Sequence, residues 1–247
     1  MTIHKLTVAE NIYAASGVDS GFTAVNKFGR NAAIDIGVEE EIWDGSIAYS
    51  FPATALITSI SQTTDQLALR GETIQVQGLD ANWDLVVQDA VLDATLTTNV
   101  VTLTTPLLRV FRAKVHSSVV ATSTIRIHNA AETVDYAVIS TGFQQTQMAI
   151  YTVPAGFCAY ITCYYAHVNP ATNQDPTSNP VRMYARDNAN GYAPQLKHVV
   201  GQTADGFQHF FTPYLKFGEK TDIFMTAQPV GKAVDVSAGF DLIIVSN

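Results

Sequence analysis

The feature that most limits the fold of this chain is a two-residue alternation of apolar and polar side chains in short segments. β-Branched and aromatic residues dominate these segments, and good helix formers never line up at a helical period over several turns. Because successive side chains of a strand point to opposite faces, the pattern predicts half-buried β-strands. The predicted strands are residues 53–61, 72–78, 83–88, 99–105, 107–117, 123–129, 148–154, 157–168, 181–187, 209–217, 221–228 and 240–246.

The segments between the predicted strands carry the Gly, Pro, Asn and Asp residues that turns require. We interpret GLDAN (78–82), NPATNQDPTSNP (169–180), DNANG (187–191) and SAG (237–239) as such turns. Short strands separated by turns are typical of antiparallel β-sandwiches. The predicted fold class is therefore all-β, with a jelly-roll or immunoglobulin-like sandwich.

Two parts of the chain are similar to each other. YSFPATALITSI (49–60) and YTVPAGFCAYITCY (151–164) share Tyr-x-x-Pro-Ala followed by an apolar strand. TPLLRVF (105–111) likewise is similar to TPYLKFG (212–218). A duplication of one module and a chance likeness between strands that begin at proline both account for this pattern.

The first 40 residues differ from the rest because they are small, polar and weakly periodic. A segment of this composition has little apolar surface with which to form its own core. We therefore predict an extended N-terminal arm over residues 1–40 that orders against a neighbouring molecule. Two sandwich modules are predicted to follow, at residues 41–143 and 144–247. The acidic run at residues 39–41 is interpreted as a solvated face.

Composition and charge limit the classes of partner. Of the 247 residues, 47% are hydrophobic and 15% are charged, which predicts a chain with a full core and argues against disorder. Fourteen basic and 22 acidic residues give a net charge of −8, so nucleic acid is not an expected partner. No apolar run approaches the roughly 20 residues that cross a bilayer. The N-terminus has no continuous apolar region typical of a signal peptide, so we expect a protein made in the cytosol without a membrane partner.

Side chains that bind metals or form disulfides are scattered. Cys158 and Cys163 fall on opposite faces of one predicted strand, about 16 Å apart, so we interpret them as buried thiols and not as a disulfide. The six histidines occur singly, without the close spacing of a zinc site. The oxygen-rich stretch 187–191 invites a calcium interpretation, but it lacks the later glutamate of an EF-hand loop and suits a hairpin turn better. No metal or cofactor is expected.

The chain has no G-x-S-x-G elbow, no phosphate-binding P-loop and no G-x-G-x-x-G fingerprint. The pair Asp80 and Asp84, on either side of Trp83, is a candidate for catalysis because glycosidases use two carboxyl groups about 5 to 10 Å apart. A carboxylate just after a turn, however, normally accepts hydrogen bonds from backbone N–H groups. VDVSAGFDLIIV (234–245) also repeats the surrounding plan without a counterpart of Asp80.

We therefore interpret residues 76–87 as a hairpin and assign no catalytic residues. In this interpretation Gly78, Asp80 and Asn82 shape the turn, and Trp83 anchors the returning strand in the core. The alternation places Leu85 and Val87 on the same face as Trp83. Most of the 22 Phe and Tyr residues are likewise interpreted as core and sheet-packing residues, in preference to a sugar-stacking platform.

Three stretches, residues 78–115, 145–168 and 220–247, resemble a group of virion structural proteins of marine tailed phages. The shared elements are a Gly-Leu-Asp turn, a strand with the pattern L-R-V-x-R, a Tyr-Thr-[VI]-Pro-Ala-Gly strand start and a closing S-A-G-F-D-L-I-I-V. The resemblance covers most of residues 40–247, and it implies a structural role without enzymatic activity. The two cysteines depart from the group, in which small or β-branched residues are expected there.

The resemblance and the composition together predict a head decoration or cement protein on the exterior of a phage capsid, assembled in the host cytoplasm. Its expected partners are the major capsid protein and other copies of itself, as a homotrimer at local threefold positions, with residues 1–40 making much of the contact. One alternative is a receptor- or glycan-binding module of a tail or head fibre that uses exposed aromatic side chains. Another is a carbohydrate-active enzyme that uses Asp80 and Asp84.

Overall fold

The computed structural model describes residues 15–16, 21–45, 48–64, 66–93, 99–170, 178–202 and 206–247, and all structural statements below refer to these residues. Within them the chain forms antiparallel strands and one short 3-10 helix, Leu67–Leu69. The predicted all-β, antiparallel sandwich class is confirmed. The strands are β1 (Phe22–Ile34), β2 (Glu40–Glu41), β3 (Ile57–Gln62), β4 (Thr73–Leu79), β5 (Leu85–Val91), β6 (Val100–Leu107), β7 (Arg109–Val115), β8 (Ile125–Asn129), β9 (Asp135–Ile139), β10 (Ile150–Thr152), β11 (Phe157–Pro170), β12 (Asn179–Asp187), β13 (Gln195–Gln202), β14 (Phe207–Phe217), β15 (Thr221–Ala227) and β16 (Val234–Ser246).

The strands form four sheets. Two of them, ordered β6-β3-β8-β9 and β5-β4-β7, are here called the N-terminal sheet pair. The other two, ordered β1-β16-β11-β14 and β10-β15-β12-β13 with β2 also paired to β15, are called the C-terminal sheet pair. All of the predicted strand segments overlap an observed strand, whereas β1, β2, β9 and β13 were not predicted.

The two sheet pairs repeat one arrangement of six strands. β3 lies between β6 and β8, as β11 lies between β14 and β16; β4 lies between β5 and β7, as β12 lies between β13 and β15. The similar sequences occupy equivalent positions in this repeat. Tyr-x-x-Pro-Ala precedes both β3 and β11, while Pro106 lies in β6 and Pro213 in β14.

Each sheet pair encloses its own cluster of buried side chains. The N-terminal cluster includes Ile60 and Ile127 from one sheet and Ile74 from the other. The C-terminal cluster likewise joins Phe240 from one sheet to Met183 from the other. Burying an aliphatic or aromatic side chain of this size contributes about 1.5–3 kcal/mol, so these clusters hold the sheets of each pair face to face.

Strand β1 pairs with β16 along most of its length, so residues 22–34 of the predicted arm lie within the C-terminal sheet pair. The inward positions of β1 include Lys27, Gly29 and Asn31, and for this reason the segment shows no apolar alternation. At Gly29 an added Cβ would lie 2.2 Å from the Ile42 carbonyl oxygen, so the close approach of the two backbones requires glycine. Residues 1–14 and 17–20 of the predicted arm lie outside the described residues.

The turn predicted at residues 237–239 is wrong, because β16 runs through it without interruption. Small residues occur there because neighbouring strands approach closely. A Cβ on Gly239 would lie 2.3 Å from the Lys27 carbonyl oxygen and 2.5 Å from the Tyr165 hydroxyl. The glycine therefore accommodates β1 and a β11 side chain and does not reverse the chain.

Candidate functional site

The Asp80 carboxylate shapes the hairpin between β4 and β5. Its Oδ1 accepts hydrogen bonds from the backbone N–H of Asn82 at 2.8 Å and of Asp84 at 3.0 Å. The strands pair in register up to Leu79 and Leu85. This is the geometry of an Asx turn, so the role of Asp80 in turn formation agrees with the sequence interpretation. Asp84 lies exposed at the start of the returning strand.

Trp83 contacts the opposite half of the chain and does not anchor its own strand. It is half-buried with φ at 68°, and it packs against the C-terminal cluster. Its carbonyl accepts a hydrogen bond from the Ala155 N–H at 2.9 Å. Because the positive φ interrupts the strand alternation, Leu85 and Val87 are 57% and 54% exposed and do not share the buried position of the ring.

The other candidates from the sequence have structural roles. Asp187 accepts two hydrogen bonds from Asn190 in the β12–β13 hairpin, where Gly191 has a φ of 68°. Cys158 and Cys163 are free, buried thiols. Within the described ranges, no group of three or more His, Cys, Asp or Glu side chains could hold a metal ion.

The acidic run is only partly a solvated face. Glu39 is exposed, but Glu40 and Glu41 are half-buried in β2. Glu41 accepts a hydrogen bond from the Tyr49 N–H at 3.0 Å, and burial raises the pKa of its carboxyl group. The interpretation of residues 39–41 as solvated is therefore wrong for Glu41, because β2 pairs with β15 and draws it inward.

A buried ionic cluster joins the two sheet pairs, and the sequence analysis did not identify it. Arg109 at the start of β7 donates to both carboxylate oxygens of Asp222 on β15, at 2.8 and 3.1 Å. The two residues are 3% and 0% exposed. The Arg109 guanidinium also donates to the Pro52 carbonyl and lies 5.0 Å from the Trp83 ring centre. The sequence signal was a lone charge, Asp222, inside the apolar strand β15, since Arg109 is one of three charged residues in β7.

The Asp222 carboxylate accepts hydrogen bonds from three further side chains. The donors are Thr152 at 2.7 Å, Arg186 at 2.6 Å and Asn188 at 2.8 Å. Burial by itself raises the pKa of Asp222, but the hydrogen bonds and the charge of Arg109, with Thr152 and Asn188, outweigh it and lower the pKa. The ionised carboxylate is therefore fully paired, which is the condition under which a buried charge is tolerated.

The second unpredicted feature is an aromatic cluster between β13 and β14, the outer strands of the two C-terminal sheets. The His198 and His209 rings stack with their centres 4.6 Å apart, and Phe211 lies 4.8 Å from His209. The buried Tyr164 hydroxyl hydrogen-bonds His198 Nδ1. Burial and the neighbouring His209 lower the pKa of His198. These contacts close this side of the C-terminal sheet pair without backbone pairing between β13 and β14 among the described residues.

The outward faces of the same two strands carry three exposed apolar side chains among polar ones such as Gln195, Lys197 and Gln208. Leu196 and Val199 on β13 are about half exposed, and Phe210 on β14 is 65% exposed. Each strand has a described backbone partner on one side, β12 for β13 and β11 for β14. We call β13, β14 and these three outward side chains the β13–β14 edge. Exposed apolar side chains on outer strands are typical of surfaces that receive another protein.

Comparison with known proteins adds no relative: no protein-family model matches the chain, and no curated protein matches it. Among the described residues, no helix is long and apolar enough to cross a membrane.

Proposed function

We propose that this chain is a virion structural protein that decorates a phage head and stabilises it by bridging neighbouring major capsid protein subunits. The observation that carries the proposal is the β13–β14 edge, with Leu196, Val199 and Phe210 exposed on two outer strands. A capsid-bound protein needs such an edge because apolar side chains and unpaired strand backbone both gain from contact with a partner. The proposal involves no catalytic step.

The mechanism is the addition of interface across capsomer boundaries. Each copy binds the assembled shell in preference to separated subunits, so by mass action it shifts the equilibrium toward the closed shell. Bridging also requires a stiff connection within the copy itself. The buried contacts of Arg109 with Asp222 support this, because they tie β7 of one sheet pair to β15 of the other.

Attachment to empty capsids tests the proposal. Co-sedimentation should show saturable binding of the wild-type protein, and Phe210→Ser combined with Leu196→Ser should weaken it about tenfold or more, as expected for apolar anchors at an interface. Leu67→Ser is the matched control, because Leu67 is 76% exposed but lies on the 3-10 helix of the N-terminal half. Equal binding by the edge variant and the control would refute the role of the edge.

The contribution of the N-terminal residues needs a deletion that spares β1. Removing residues 1–40 would also remove the strand that pairs with β16, so the deletion should cover residues 1–20. We expect the truncated protein to fold, to lose affinity for the shell and to protect it less against heat. Light scattering of both forms would show whether the proposed homotrimer exists and whether it depends on this segment.

A receptor- or glycan-binding module of a fibre is the second candidate, and the exposed rings of Tyr192 and Phe210 favour it. Copy number separates the two functions. A decoration protein occurs in hundreds of copies per particle, whereas a fibre component occurs in far fewer. Quantitative densitometry of purified particles makes this distinction.

A further inference from the structure

A groove of about 550 Å³ lies between β1 and the N-terminal sheet pair. This volume is within the range typical of small-molecule sites, which are mostly apolar with a few polar groups. The groove includes two of the most exposed apolar side chains of β5, Leu85 and Val87. Its apolar lining includes Leu85, Val87, Phe111, Tyr151, Phe157 and Ile244.

The charges of the groove are all positive. Of the residues that line it, Lys27 and Arg112 are cationic and none is acidic. Lys27 is 3% exposed, and its Nζ donates to the Phe111 carbonyl oxygen. The described part of the chain provides Lys27 with no carboxylate partner. Burial and the neighbouring Arg112 lower the pKa of Lys27, as expected for an ammonium group without a counter-ion.

The cations are fixed in place by the backbone. Arg112 donates from Nη2 to the Asn26 carbonyl at 2.7 Å, so it is anchored beside β1 next to Lys27. An ammonium group has three N–H donors and a guanidinium has five, so each retains donors beyond these carbonyl bonds. A carboxylate placed between them would accept charge-assisted hydrogen bonds and would supply the missing negative charge.

We propose that this groove binds a medium-chain fatty acid, with the carboxylate held by Lys27 and Arg112 and the alkyl chain lying against Leu85 and Val87. The apolar lining favours the chain through burial of hydrocarbon surface. The paired cations select an anionic head group over a neutral one. This site is separate from the β13–β14 edge and does not depend on the proposed attachment to a capsid.

Displacement of an environment-sensitive fluorescent fatty acid from the wild-type protein is the first experiment. Decanoate should displace the probe with a stoichiometry of one and a Kd at least about tenfold lower than that of decanol, as expected when a hydrogen bond to a charged group is lost. Equal displacement by decanoate and decanol, or the absence of saturable probe binding, would overturn the proposal.

Variants locate the site. Val87→Asp should weaken decanoate binding about tenfold or more, because it places a carboxylate in the path of the alkyl chain. Val91→Asp is the matched control, since Val91 is similarly exposed on β5 but does not line the groove. It should bind decanoate like the wild type, and the same loss in both variants would contradict the assignment.

The cations are tested by Lys27→Met and Arg112→Gln. Both substitutions should weaken the binding of decanoate while leaving the binding of decanol unchanged. Circular dichroism establishes that each variant is folded. If Lys27→Met does not fold, Arg112→Gln decides, because Arg112 is half-buried at the rim of the groove. Unchanged decanoate affinity in folded Arg112→Gln would remove the cation pair from the proposal.

Discussion

The β5–β6 edge of the N-terminal sheet pair and the β13–β14 edge of the C-terminal pair occupy equivalent positions in the repeated strand order. Different chemistry closes the two edges. Gln88 on β5 donates to the Thr105 carbonyl on β6 and accepts from its N–H, both at 2.9 Å. At the other edge, the His198 and His209 rings stack beside Tyr164. One arrangement of strands thus yields an edge joined by hydrogen bonds of a neutral side-chain amide and another joined by stacked imidazole rings.

The outward faces of the two edges differ as well. Both edges expose aliphatic side chains, Leu85 and Val87 on β5 and Leu196 and Val199 on β13, but the C-terminal edge adds an exposed aromatic ring, that of Phe210 on β14. A repeated arrangement of strands therefore need not repeat its exposed surfaces. We propose attachment at the C-terminal edge because its exposed aromatic ring has no counterpart on β5 or β6.

The buried contact of Arg109 with Asp222 joins the two sheet pairs, and we expect Asp222→Ala to have the largest effect on stability. The substitution leaves Arg109 buried without its counter-ion, which costs about 3–5 kcal/mol. Urea denaturation followed by tryptophan fluorescence should show this loss. Asp235→Ala, which removes a partly exposed pair with Arg30, is the control and should cost about 1 kcal/mol or less. Equal effects of the two substitutions would contradict the role of the cluster.

Substitutions in the β4–β5 hairpin should have a smaller effect on stability. Trp83→Ala should cost about 3 kcal/mol, at the low end for a large aromatic truncation because the ring is half-buried. Asp80→Ala removes two backbone hydrogen bonds of an exposed turn and should cost about 1 kcal/mol, as a lost cap does. The same denaturation measurement ranks the two, and the reverse order would restore a functional role for Asp80.

The amide closure of the N-terminal edge is tested by Gln88→Ala. Loss of both hydrogen bonds to Thr105 should lower the free energy of unfolding by about 1–2 kcal/mol. Gln88→Glu retains the acceptor for the Thr105 N–H but, near neutral pH, places a carboxylate oxygen against the Thr105 carbonyl oxygen, so it should cost at least as much as Gln88→Ala. Neither substitution should alter binding to capsids. Weakened binding would contradict the proposal that the protein attaches through the β13–β14 edge alone.

The smallest effect concerns pH at the C-terminal edge. Because the folded protein lowers the pKa of His198, the unfolded chain binds the proton first. The contribution of His198 to stability is therefore complete above the unfolded pKa of about 6.5 and decreases as the pH falls below it. The stability difference between wild type and His198→Gln should shrink from pH 8 to pH 5.

The half-buried carboxyl groups of Glu41 and Asp44 have raised pKa values, and they change stability in the opposite sense. For that reason the difference between the two proteins, and not the profile of either one, is the quantity to measure. A difference that stays constant with pH would show that His198 does not titrate in a closed environment.

The alternation in the sequence was sufficient to predict the fold class and the central strands, because strands such as β11 and β15 bury mostly apolar side chains. It failed for β1 and β13, whose inward positions include the buried Lys27 and the half-buried His198 and therefore show no hydrophobic period. The Asp80 turn was predictable because an Asx turn is local. The contact of Arg109 with Asp222 spans 113 positions and depends on how the sheets pack, which no local pattern encodes.

Hydrogen–deuterium exchange of the free and capsid-bound protein tests most directly the claim that the C-terminal edge is the attachment surface. Backbone amides of β13 and β14 should gain protection on binding, because a partner would cover strands that are outermost in their sheets. Amides of β5 and β6 should exchange at the same rate in both states. Protection confined to β5 and β6, or the absence of added protection at β13 and β14, would contradict the assignment.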